Sequence, residues 1–220
     1  MGCRKGLTAK FNPRRRQWKP QPPRMATPLR LRGRRLPRDI ARMTRRPSNI
    51  VLIGMPGAGK STVGALLARR LGLDFADTDR LIEHREGQTL QQIVDTHGHQ
   101  TLRAIEARVL AQIDYRHHVI ATGGSAVYSD AAMTALQRHG VIVHLQVDLE
   151  TILDRVQDAA TRGLARAPGQ SLTALFAERE ALYAHYAEFS VDASGDDQFA
   201  VADRVIATLT RAHALPSPLA

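Results

Sequence analysis

Cysteine is all but missing from this chain of 220 residues: Cys3 is the sole one, as Trp18 is the sole tryptophan. A single thiol excludes an internal disulfide and a thiolate metal site, which fits a reducing compartment and makes the cytoplasm the expected location. Aromatic residues form only 5% of the chain. No apolar run approaches the roughly 20 residues that span a bilayer, so a soluble protein without a membrane partner is expected.

Acidic residues are the second scarcity, and it is a local one. Residues 1–47 hold sixteen Lys and Arg against Asp39 alone, a charge of +15, whereas the remaining 15 basic and 20 acidic residues leave 48–220 at −5. A nucleic-acid-binding domain carries its basic footprint on itself, so no nucleic acid is expected for the folded part. The Arg- and Pro-rich stretch 1–47 has little apolar periodicity and reads as a disordered extension. Three explanations stand: an arm drawn to RNA or a membrane surface, a targeting segment, or translated upstream sequence before a start at Met43 or Met25. The last is favoured, because a first strand follows Met43 within a few residues. A secretory signal lacks its apolar core here, and a transit peptide its serines, since none precedes Ser48. Met1-Gly2-Cys3 suggests a lipid anchor, but position 6 is Gly where Ser or Thr is needed. The expected organisation is an extension over 1–47, one domain over 48–215 and a short tail over 216–220.

What the chain does have is Gly54-Met55-Pro56-Gly57-Ala58-Gly59-Lys60-Ser61, between the apolar run Asn49-Ile50-Val51-Leu52-Ile53 and the amphipathic segment Thr62 to Leu71. The pattern G-x-x-x-x-G-K-S in strand–loop–helix context is a phosphate-binding loop. Glycines let successive N–H groups turn inward to phosphate oxygens, the lysine reaches the β- and γ-phosphates, the serine offers a hydroxyl to Mg²⁺, and the helix N-terminus favours the remaining charge. Gly57, Ala58, Gly59, Lys60, Ser61 and Thr62 are the expected nucleotide-binding residues.

Beyond the loop, the spacing predicts a strand over 73–76 running into Asp77-Thr78-Asp79, and helices over 80–86, from Thr89 and over 101–113. It then predicts strands over 118–122 and 141–147, helices over 130–139, 150–157, 171–189 and 199–211, and an edge strand at 191–193. Alternating strands and helices imply a parallel sheet covered on both faces, with ligands gathered at the carboxyl ends of the strands. Strand three, Val-Ile-Ala-Thr-Gly-Gly, ends without an acid, so Asp77 is the nearest carboxylate for a Mg²⁺ shell. Asp79 either orients an acceptor hydroxyl as a general base or caps the helix from Arg80. For Arg103 and Arg179 the reading that the residues alone favour is a surface ion pair, with Glu106 or Glu180 as partner. Tyr183 and Tyr186 are expected to pack, and His97, His99, His117 and His118 lack metal-ligand spacing.

Gly54 to Ser61, Asp77-Thr78-Asp79-x-x-Ile82-Glu83, Leu102-Arg103-x-x-Glu106, Ala121-Thr122-Gly123-Gly124 and Arg179-x-x-Leu182-Tyr183 resemble, in order and approximate spacing, the motifs of shikimate kinases from about Asn49 to Arg211. The resemblance implies an α/β P-loop kinase fold like that of nucleoside-monophosphate kinases: three layers, a parallel sheet of about five strands, substrate-binding helices and a mobile lid. It implies ATP- and Mg²⁺-dependent phosphorylation of shikimate to shikimate 3-phosphate, in aromatic amino-acid biosynthesis, by a monomer. Lys60, Asp79 and Arg162 would be catalytic. Asp79, Arg103, Gly123, Gly124 and Arg179 would bind shikimate, and Arg155 and Arg162 the nucleotide. Ser61 would bind Mg²⁺ directly and Asp77 through water. Arg162 lies in a lid over 158–169, where Arg166 competes for its role. Two positions depart from the family: Gly163 follows Arg162 where proline is usual, and Ser125 stands where a third glycine is usual. These keep open a kinase for another small hydroxy acid or sugar acid. A third reading is a non-catalytic nucleotide-binding protein whose basic extension holds RNA or an anionic surface.

Overall fold

The computed structural model describes residues 47–157, 165–167, 169–195 and 197–216. The two lid positions that carry the sequence argument, Arg162 and Gly163, lie outside the described residues, as does the basic extension through residue 46.

Five strands form one parallel sheet: β1 (Asn49–Ile53), β2 (Asp74–Asp77), β3 (His118–Ala121), β4 (Gly140–Gln146) and β5 (Phe189–Asp192), in the order β2-β3-β1-β4-β5. All five residues of β1 are buried, as a central strand covered on both faces requires, and its sequence is accordingly an unbroken apolar run after Asn49. Asn49 is satisfied: its amide donates to Tyr115 O at 2.7 Å and its carbonyl accepts from His118 N at 3.0 Å, joining the starts of β1 and β3. The chain moves to one side of β1 for β3 and to the other for β4. The carboxyl end of β1 is therefore the switch point at which open parallel sheets take their ligands.

Eight helices are described: α1 (Lys60–Leu71), α2 (Thr78–Glu86), α3 (Leu90–His97), α4 (His99–Ala111), α5 (Asp130–Gln137), α6 (Leu149–Gln157), α7 (Leu172–Tyr186) and α8 (Gln198–Arg211), with a 3-10 turn at Ala126–Tyr128. Local chemistry sets many of their ends. Thr89 makes a capping box with Gln92 before α3, Ser129 and Ser171 cap α5 and α7, and Gly72 and Gly87 close α1 and α2 in left-handed conformation. Gly64 lets α1 lie close on the sheet, since a Cβ there would stand 2.7 Å from the Phe75 ring.

The main core runs through β1, β3 and β4 into α1, α5 and α8. A smaller cluster, Ile82, Ile93, Leu102 and Val109 with Ala165, joins α2, α3 and α4 to the described lid segment. Each of its Ile, Leu and Val side chains contributes about 1.5–3 kcal/mol on burial. Several helix boundaries differ from the sequence expectation by a few residues, and two of the differences have a clear cause. Asp77, not Asp79, caps the helix after β2, which starts at Thr78. The helix expected over 171–189 stops at Tyr186, and Phe189 opens β5, because residues 189–192 pair with Val143–Gln146. That pairing joins strands distant in sequence and overrides local helix preference.

Candidate active site

The loop after β1 has the backbone its glycines predict: Gly57 and Gly59 take φ of 86° and 83°, a region other residues enter with strain. A Cβ at Gly54 would stand 2.7 Å from Leu145 O. Gly59 caps α1, so the first helical N–H groups and those of the loop face one hollow. Lys60 folds back over the loop, donating to Gly54 O and Met55 O at 2.9 Å each. Burial pushes its ammonium pKa down to about 8; the Asp79 charge opposes this and that of Arg179 adds to it.

The strand-two acids divide their work. Asp77 Oδ2 accepts from the Ser61 hydroxyl at 2.6 Å, and Oδ1 accepts from Asp79 N at 3.0 Å and Arg80 N at 3.4 Å. Asp79 is thereby freed from capping and sits inside the first turn of α2. Burial raises its carboxyl to about 6, opposed by Lys60 and reinforced by Asp77 and Glu83. Ser61 and Asp77 bring a hydroxyl and a carboxylate together, hard oxygen donors that suit Mg²⁺.

A second buried carboxylate, Glu106 on α4, faces Asp79 across Gly123. A Cβ on Gly123 would lie 2.3 Å from Glu106 Oε1 and 2.6 Å from Asp79 Oδ1, and Gly123 N donates to Thr78 Oγ1 at 3.1 Å. Glu106 Oε2 accepts from the Ser125 hydroxyl, while Oε1 is buried with no partner. Burial lifts Glu106 to about 7, with Asp79 adding to the rise and Ser125 and Arg179 working against it. The side chain that replaces the third glycine is therefore spent on Glu106.

Neither arginine makes the surface ion pair that the sequence left open. Arg179 is 1% exposed, and its Nη2 donates to Ala165 O at 2.9 Å; Arg103 Nη2 donates to the same oxygen at 3.0 Å. Glu180 lies instead near Gln146 and His144. Gly124 is pressed between Arg179 and Pro56, and its carbonyl accepts from the buried Tyr183 hydroxyl at 2.8 Å. Tyr183 packs, as expected, and also fixes the glycine turn.

One cleft of about 340 Å³ runs from the phosphate loop past Lys60, Asp79 and Glu106 to Gly123, Gly124 and Arg179, while Arg103 stands behind its lining, against Ala165. Arg155 on α6 stands at its other end, donating to the carbonyls of Gly57, Ala193, Ser194 and Gly195 at 3.1–3.4 Å. It also borders a neighbouring hollow of about 130 Å³ lined by Ala193, Gly195 and Gln198. Arg166, the competing lid arginine, is exposed. Sequence reasoning noted Glu106 only as a neighbour of Arg103, and it missed Tyr128, whose ring lies 3.8 Å from the Arg103 guanidinium. The Leu102-Arg103-x-x-Glu106 spacing signalled the first, one helical turn apart; nothing local signalled the second.

The family model described as shikimate kinase matches residues 56–210. The shikimate kinase of Halorhodospira halophila is 40% identical over 168 residues, which is 75% of this chain and 95% of that one. That of Moorella thermoacetica is 40% identical over 162 residues, 72% and 92% of the two chains. Among solved structures, the shikimate kinase from Acinetobacter baumannii in complex with shikimate superposes with a TM-score of 0.70 at 30% identity, covering 78% of this chain and 97% of that one. The Aquifex aeolicus shikimate kinase gives 0.65 at 31%, covering 77% and 99%. One match thus takes in the loop lysine, both strand-two acids, the arginines of α4 and α7 and the glycine turn between them, and by it this chain belongs to the shikimate kinase family.

Proposed function

We propose that this protein transfers the γ-phosphoryl group of ATP to a hydroxyl of shikimate, giving shikimate 3-phosphate and ADP. One observation carries the reading: a single cleft joins the phosphate loop and Lys60 to a buried acid, Asp79, and to an arginine, Arg179, whose fork meets that of Arg103. An anionic polyol needs these groups, an acceptor for its hydroxyl and donors for its carboxylate. The Acinetobacter relative, solved with shikimate, supports this choice of acid.

In this reading the N–H groups of Gly57 to Thr62 cradle the phosphates, and Lys60 turns from the Gly54 and Met55 carbonyls to the transferred group. Asp79 accepts a hydrogen bond from the attacking hydroxyl and orients it. Arg103 and Arg179 hold the carboxylate, and Gly123 and Gly124 admit the ring where a side chain would block it. Arg155 stacks at the adenine end, with Ala193, Gly195 and Gln198 completing the base pocket. Ser61, with Asp77 through water, would hold Mg²⁺, which would supply positive charge beside the β- and γ-phosphates when bound. The family resemblance assigns the contact with the transferred phosphoryl to Arg162, which lies outside the described residues. The kinase unit is residues 48–215, and the basic extension takes no part in the chemistry.

The test is ADP release by the full chain with ATP and Mg²⁺, comparing shikimate with no acceptor and with a panel of hydroxy acids and sugar acids. Stimulation by shikimate supports the reading. A response to another acid alone would keep the phosphate machinery and overturn the acceptor.

A further inference from the structure

Tyr128 ends the 3-10 turn that follows Ser125, and no step of the proposed phosphoryl transfer uses it. Its ring is nevertheless the surface on which both arginines rest. The ring centroid is 3.8 Å from the Arg103 guanidinium and 5.5 Å from that of Arg179. Arg179 Nε donates to the Tyr128 hydroxyl at 3.4 Å, and the Glu178 carboxylate lies close to that hydroxyl. Two guanidinium groups that converge on one carbonyl, Ala165 O, repel each other, and something must hold them together.

A carboxylate between them would do so by occupying their N–H edges, and it would compete with an incoming acid. An aromatic face does not. Its quadrupole attracts the flat side of a guanidinium and leaves the edge free to donate. Arg103 shows the result: its Nε is buried and unpartnered, and its Nη2 is held only by the backbone oxygen of Ala165 among the described contacts. Arg179 keeps Nη1 against Gly124, on the cleft side.

We propose that Tyr128 is a positioning residue that holds Arg103 and Arg179 as one converging clamp for the carboxylate of the acceptor. The proposal rests on the shikimate kinase reading above.

Steady-state kinetics of the full chain and of Tyr128→Leu and Tyr128→Phe, with ATP, Mg²⁺ and shikimate, test it. The wild type comes first: no turnover of shikimate would overturn the functional reading, and this proposal with it. Given turnover, Tyr128→Leu is expected to raise KM for shikimate about tenfold, the scale of a partly desolvated cation–π contact. Its kcat and KM for ATP should stay within about twofold. Tyr128→Phe keeps the ring face and loses the hydroxyl, so it should recover most of the affinity. An acceptor in which a hydroxymethyl group replaces the carboxylate should not distinguish wild type from Tyr128→Leu. An unchanged KM for shikimate, or a parallel rise in both KM values, would reduce Tyr128 to packing and sink the proposal while the function stood. Position 128 is half-buried, so Tyr128→Gln serves as the ringless variant should leucine prevent folding.

Discussion

Ser61 and Asp77 are joined by a 2.6 Å hydrogen bond that ties the first turn of α1 to the N-cap of α2. One carboxylate oxygen serves the phosphate-loop hydroxyl, and the other serves the backbone N–H groups of Asp79 and Arg80. The proposed metal-holding role and the observed capping role therefore meet in one side chain, and substitution separates them. Asparagine caps helices as well as aspartate but carries no charge. Asp77→Asn should keep the melting temperature and raise the Mg²⁺ concentration for half-maximal rate about tenfold, whereas Asp77→Ala should in addition lose about 1 kcal/mol of stability. A Mg²⁺ titration beside thermal melts checks both; an unchanged Mg²⁺ requirement in Asp77→Asn would remove the metal role.

Gly123 is where the two buried carboxylates meet the substrate turn, and its added Cβ would lie 2.3 Å from one and 2.6 Å from the other. Gly123→Ala should displace Asp79 and Glu106 together and lower kcat by at least 100-fold, since misplacement by about 1 Å carries losses of that order. Nucleotide affinity, measured by titration with an ATP analogue, should stay within a few-fold. Equal loss of both would mean that the turn also shapes the phosphate loop.

The proposed roles of Lys60 and Asp79 predict different failures. Lys60→Ala should reduce turnover below detection. Asp79→Asn should lower kcat by about 10²–10⁴, the range for a lost general base, with KM for ATP little changed. Normal turnover in Asp79→Asn would exclude it from the reaction.

A pH profile follows from the buried charges. Asp79 and Glu106, raised to about 6 and about 7, take up protons as the pH falls through that range, and Lys60, lowered to about 8, loses its proton above it. In the free enzyme kcat/KM should therefore peak between about 7 and 8 and fall on both sides. The acid limb should simplify in Glu106→Gln; a profile flat from 5 to 9 would contradict the charge arrangement.

Glu106 also has a stability signature. Its pKa in the folded state lies above the ordinary 4.5, so the native protein binds an extra proton between about 4.5 and 7. Stability from this group is full below the lower value and is lost as pH rises through the upper one. Glu106→Gln removes the buried charge, so without ligands it should raise stability at pH 8 by on the order of 1–3 kcal/mol, a difference that shrinks toward pH 5. Melts at the two pH values decide it. A variant destabilised at pH 8 would show instead that Ser125 and Arg179 more than offset the burial of the charge.

Most elements were legible in the sequence because their signals are local. The phosphate loop, the helix start at Thr89, the closing glycines of α1 and α2 and the apolar run of β1 each depend on residues within a few positions of one another. The start of α2 was misplaced by two residues because an Asp-x-Asp offers two caps of equal chemistry. Only the bonds from Asp79 N and Arg80 N to Asp77 choose between them. The end of α7 was missed because Phe189 is drawn out by β4, a strand more than forty residues earlier.

By itself, then, the sequence determined a phosphate-binding loop on a parallel α/β sheet, and the set of acids, arginines and glycines available to act beside it. Tertiary structure decided which of these meet. The order β2-β3-β1-β4-β5 brings the ends of β1, β2 and β3 to one edge, so Asp79 and Glu106 close around Gly123. The turn after β3 then places Ser125 on Glu106 and Tyr128 beneath arginines from α4 and α7. The reason is one of range. Helix spacing and capping act over a turn or two of chain, whereas Arg179 and Tyr128 are 51 positions apart and meet only because both elements pack over the same end of the sheet.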